Sequence, residues 1–74
     1  MMPPLPILGG KEFVRIFGLF GWQVARQSGS HIILINAEST ATLSVPDHNE
    51  VAKGTLRSLM RASGLTVTEF IEKR

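Results

Sequence analysis

Cysteine is absent from this 74-residue chain, which excludes a disulfide staple and any thiolate metal site. Histidine occurs twice, at His31 and His48, and two imidazoles fall short of the four nitrogen or sulfur ligands of a typical protein-only zinc site. We therefore expect no metal and no cofactor. Tyrosine is missing and aromatic residues make up 7% of the chain, which speaks against single-strand reading by stacked bases. No apolar run approaches the ~20 residues of a membrane span. The opening MMPPLPILGG has no basic n-region, and three prolines interrupt its apolar stretch, unlike a secretory leader. These absences read as a cytoplasmic protein. The length suits one domain over residues 1–74, with 1–9 as an extended lead-in, because proline biases its predecessor away from helix. A domain this small buries only about 60% of its unfolded surface, so a bound partner can add stability.

The residues that are present organise into six segments. In 11–20, KEFVRIFGLF, Phe13, Ile16, Phe17 and Phe20 recur at i, i+3, i+4, i+7, one face of a helix. Gly18 weakens that helix by ~1 kcal/mol, which suggests that something packs closely there; Gly21 is placed to stop it. Residues 22–27 alternate, with Trp22 and Val24 on one side, as in a half-buried strand. Ser28-Gly29 makes a turn into a second strand, 30–36, apolar on both faces and so suited to the centre of a sheet. Residues 41–45 form a third strand, ended by Pro46. A helix follows from about Val51 or Gly54 to Ser63, with Leu56, Leu59 and Met60 inward and Gly64 as its stop. Thr66-Val67-Thr68-Glu69 has the capping-box pattern, opening a last helix, 67–73, that buries Val67, Phe70 and Ile71. The expectation is an α+β fold, a two-layer α-β-β-β-α sandwich: a three-stranded antiparallel sheet with helices on one face. The double-stranded-RNA-binding domain has this element order.

The net charge is only +2, but cations are clustered. Lys53, Arg57 and Arg61 are spaced by four with no acid between them, so they share one broad helix face. Lys11 and Arg15 repeat the spacing. Such faces suit a polyanion, or serve only as solvated outer faces. His31 stands where turn becomes strand, with Ser30 beside it and Arg26 across the hairpin. An imidazole there can move a proton in phosphodiester cleavage; the plain alternative is a strand histidine bonded to backbone. His48, beside Asp47, is a possible auxiliary acid or base, or a loop residue at a helix start. Trp22 is the best-placed aromatic for stacking, since Phe13, Phe17 and Phe20 belong to the core. Period alone leaves open which sheet face is exposed. If it is the face of His31, Ile33 and Ile35, a partner covering the isoleucines also covers the histidine.

Gly10-Lys11-Glu12, Gly29-Ser30-His31, Val45-Pro46-Asp47-His48, Lys53-Gly54-Thr55-Leu56-Arg57, and Gly64-Leu65 with Glu69-Phe70 occur in an order and spacing that resemble the HicA family, the toxins of HicA–HicB toxin–antitoxin systems. The resemblance covers about residues 5–72; Gly9-Gly10 stands where Leu-Ser is more usual, a change at a helix cap. It implies a double-stranded-RNA-binding-domain-like fold, an mRNA interferase (an endoribonuclease of type II systems), His31 as catalytic residue, and a HicB-like antitoxin as partner. RNA would be held by Lys11, Arg26, Ser30, Lys53, Arg57 and Arg61, cut without a metal, and no DNA contact by the toxin alone is expected. The alternative is a non-catalytic RNA-binding module of the same fold, or a subunit that works through its apolar second strand.

Overall fold

The computed structural model describes residues 8–73. Most of the extended lead-in, 1–7, and the terminal Arg74 lie outside the described residues. The order is α1 (Gly10–Leu19), β1 (Gln23–Ser28), β2 (His31–Ile35), β3 (Thr42–Pro46), α2 (Lys53–Ser63) and α3 (Val67–Glu72). Both strand pairs are antiparallel and the sheet order is β1-β2-β3. The expected α+β sandwich is the architecture found, with β2 in the centre.

Hydrophobic period decides which faces meet. In α1, Phe13, Ile16 and Phe17 are fully buried, while Lys11 and Arg15 are exposed. In α2, Leu56, Leu59 and Met60 are buried. Ile32 and Leu34 of β2 and Leu43 and Val45 of β3 face these helices and are buried. Phe70 of α3 sits 5.2 Å from Phe13 and 5.1 Å from Phe17, ring centre to ring centre, within the range where aromatic pairs attract beyond their buried area. Among the described residues no polar or charged side chain is buried. Burial of apolar surface therefore holds the layers together, and every described charge remains at the surface.

Helix and turn boundaries follow local chemistry. Gly21 (φ 94°) and Gly64 (φ 79°) take the left-handed backbone that ends α1 and α2. The Thr66 hydroxyl accepts from the Glu69 N–H at 3.1 Å, and the Thr66 N–H donates to Glu69 Oε1 at 3.0 Å, the capping box expected for α3.

Four local expectations are corrected. The hairpin turn is Gly29-Ser30, one residue later than Ser28-Gly29, because Ser28 already pairs with His31. Gly29 has φ 59°, and a positive φ at the first of two loop residues is the type II′ turn that matches strand twist. The strand alternation of 22–27 is broken by a bulge between Val24 and Arg26. Trp22 is buried before β1 begins, whereas Val24 is 53% exposed on the sheet edge. Gly18 is exposed and a Cβ there would meet nothing within 4 Å, so no close approach explains it. The close approach belongs to Gly10, where a Cβ would overlap the Pro46 carbonyl oxygen.

Candidate functional site

β2 enters the sheet at His31. The Gly29-Ser30 turn makes His31 the first paired residue of the strand, with Ser28 on one side and Pro46 on the other. Side chains alternate across a strand. Since Ile32 and Leu34 point into the core, His31, Ile33 and Ile35 share the opposite, open face. His31 is exposed, Ile33 is half-buried, and Ile35 is 48% exposed. This settles the face left open by period alone.

Arg26 pairs with Ile33 and so lies on the same face, diagonal to His31. Diagonal neighbours in a sheet are about 7–8 Å apart, within reach of a long side chain. Ser44 pairs with Ile33 from the other edge. The ring of His31 makes no hydrogen bond to another described residue, nor does that of His48. The backbone-bonded strand histidine is therefore not the arrangement found.

Three segments converge on the His31 end of the sheet. The Asp47 N–H donates to the Ser30 carbonyl at 2.6 Å, and the Gly10 N–H donates to the His48 carbonyl at 2.8 Å. The first bond ties the β3–α2 loop to the hairpin; the second ties the start of α1 to that loop. Gly10 is required here because the Pro46 backbone occupies the space of its side chain. Gln27 reinforces the junction: its amide nitrogen lies 3.3 Å from the Gly29 carbonyl and 3.4 Å from Asp47 Oδ2. A cleft of about 440 Å³ results, lined by Gly9, Gly10, Lys11, Glu12, Asp47, His48 and Asn49. His48 is exposed and on its rim.

Lys11, in the first turn of α1, lies at this end, and Lys53 is the first residue of α2. The N-terminal end of α1 adds a positive field at the cleft. Arg57 and Arg61 follow Lys53 along α2, roughly 6 and 12 Å further on, in the helix layer rather than on the open face of Arg26. Arg26 is diagonal to His31 on the sheet, and Lys11 and His48 line the cleft beside the hairpin; Lys53, Arg57 and Arg61 lie on α2 and do not line that cleft. Trp22 is withdrawn from any stacking role: it is 5% exposed and edge-on to Phe17 at 6.4 Å. Gln27 and the backbone bond of Asp47 have no signal in the sequence. An exposed polar residue carries no pattern that marks its tertiary partner.

Among the described residues, no group of three or more His, Cys, Asp or Glu side chains is placed to hold a metal ion. No helix among them is long and apolar enough to cross a membrane.

An open three-stranded antiparallel sheet backed by helices, with cations and an exposed histidine at one end, defines a small α+β protein of the double-stranded-RNA-binding-domain-like class. A family model described as HicA toxin of bacterial toxin–antitoxin matches residues 10–65 of the 74. The chain belongs to that family and is the toxin of a toxin–antitoxin pair. The match includes His31, His48 and the Lys53–Arg61 stripe, and ends before Glu69-Phe70. No curated protein matches the chain.

Proposed function

We propose that this toxin is an endoribonuclease, an mRNA interferase in which His31 is the catalytic residue. The observation that carries the reading is the exposed His31 ring on the open sheet face, unbonded to described residues and diagonal to Arg26. The imidazole takes the proton of a ribose 2′-OH as that oxygen attacks the adjacent phosphorus. Arg26 and Lys11 then meet the negative charge that develops on the phosphoryl oxygens. Lys53, Arg57 and Arg61 guide the strand beyond the cut. The antitoxin, a HicB-like protein, docks on the open face over Ile33 and Ile35 and covers His31 in doing so.

His31→Ala tests this. The side chain is exposed, so the variant should fold as the wild type does. Its cleavage of a long transcript should fall by about 10²–10⁴-fold, and its induction should no longer arrest growth. Wild-type cleavage is expected to persist in excess EDTA. A His31→Ala protein that cuts and poisons like the wild type overturns the assignment. Wild-type protein that retards RNA in low salt yet never cuts it points instead to a non-catalytic RNA-binding module, whose affinity would fall steeply with salt.

A further inference from the structure

His48 is the second imidazole of the chain, and the fold delivers it to the end of the sheet where His31 stands. Pro46 pairs directly with His31, and His48 is two residues beyond it. Paired strand residues are about 5 Å apart and a residue advances the chain by at most ~3.6 Å, so the two α-carbons are within about 12 Å. The separation is held by hydrogen bonds on both sides of the loop: Asp47 N–H to the Ser30 carbonyl, and Gly10 N–H to the His48 carbonyl. Both bonds use backbone atoms, which leaves the His48 ring exposed at the cleft. Lys11 and Glu12 of α1 and Asp47 of its own loop line the same cleft, and Gln27 of β1 holds Asp47.

Resting on the endoribonuclease reading, we infer that His48 is the general acid of the reaction, paired with His31 as base. In the step, His31 accepts the 2′-OH proton while the O2′–P bond forms. The P–O5′ bond breaks, and His48 in its imidazolium form gives its proton to the departing O5′. The products are a 2′,3′-cyclic phosphate and a free 5′-hydroxyl. The two imidazoles return to their starting states by exchange with water. No oxidant, reductant or further reactant is needed.

The test separates the acid from the base by the leaving group. The bond cut by the wild type in a transcript is mapped, and oligoribonucleotides are made with oxygen or sulfur at the bridging 5′ position of that bond. A thiolate departs without needing a proton. His48→Ala should cut the oxygen substrate about 10²–10⁴-fold more slowly than wild type and the sulfur substrate at a near wild-type rate. His31→Ala should be slow on both. A His48→Ala protein as fast as wild type on the oxygen substrate, or equally slowed on both substrates, overturns the acid role and leaves His31 as proposed. If wild-type protein cuts neither substrate, the endoribonuclease reading fails, and the acid role with it. His48 is exposed, so circular dichroism of the variant should match the wild type.

Discussion

A Cβ added at Gly10 would overlap the Pro46 carbonyl oxygen, whereas one added at Gly18 would meet nothing within 4 Å. Both glycines are in α1, and their substitution by alanine should act in opposite directions. Gly18→Ala should stabilise the protein by about 0.5–1 kcal/mol, because it removes backbone freedom from the unfolded chain and fills open space. That corresponds to a rise of a few degrees in Tm for a domain of this size. Gly10→Ala should destabilise by about 1–3 kcal/mol through overpacking, and it should shift the backbone of Pro46 to His48, whose carbonyl the Gly10 N–H holds. Urea titration measures both; a lower midpoint for Gly18→Ala, or an unchanged one for Gly10→Ala, contradicts the packing described. The sequence pointed to Gly18 as the tight site. It is not, because tightness depends on what crosses the helix, and that is a strand end more than thirty residues away in the chain.

At the scale of elements, α3 has six residues, too few for an isolated helix to persist in water. It holds by its Thr66–Glu69 capping box and by Phe70 packed on Phe13 and Phe17. Phe70→Ala should cost about 3–5 kcal/mol, a large share of the roughly 4–11 kcal/mol expected for a chain of this length. Thermal unfolding should show the loss, with faster amide exchange across α3; a Tm within a degree or two of wild type would exclude this anchoring role. α3 was legible in advance because caps and apolar spacing act over three or four residues. β1 was legible only as a strand. All six of its residues are exposed, and the bulge between Val24 and Arg26 leaves Val24 opposite Leu34 but puts Arg26 opposite Ile33, on the open face. An edge strand whose residues are all exposed has little burial to enforce its pattern.

Across the whole molecule, the two layers sort chemistry by face. The helix layer carries Lys53, Arg57 and Arg61; the open sheet face carries Arg26, His31 and the partly exposed Ile33 and Ile35. If the antitoxin docks on that open face, Ile35→Glu should weaken toxin–antitoxin binding at least tenfold, since a carboxylate would be buried without a partner. It should leave RNA cleavage within a few-fold of wild type, because Ile35 is at the far end of β2, about 13 Å along the strand from His31. Titration calorimetry with the antitoxin reads the first effect and a cleavage assay the second. Undiminished antitoxin affinity would move the docking site elsewhere.

The sequence by itself determined the order of elements, the glycine stops of α1 and α2, the capping box of α3 and the inventory of reactive groups, because helical period, a capping box and a positive-φ glycine after a helix are interactions among near neighbours. Only the tertiary structure decided that His31 faces the open side of the sheet, that Trp22 is core, that Gly10 is needed for its missing side chain, and that His48 and Lys11 line one cleft while Arg57 and Arg61 do not. Those outcomes depend on which faces pack and which loops cross. They are set by contacts between segments distant in sequence, where burial of apolar surface, rather than local spacing, selects the arrangement.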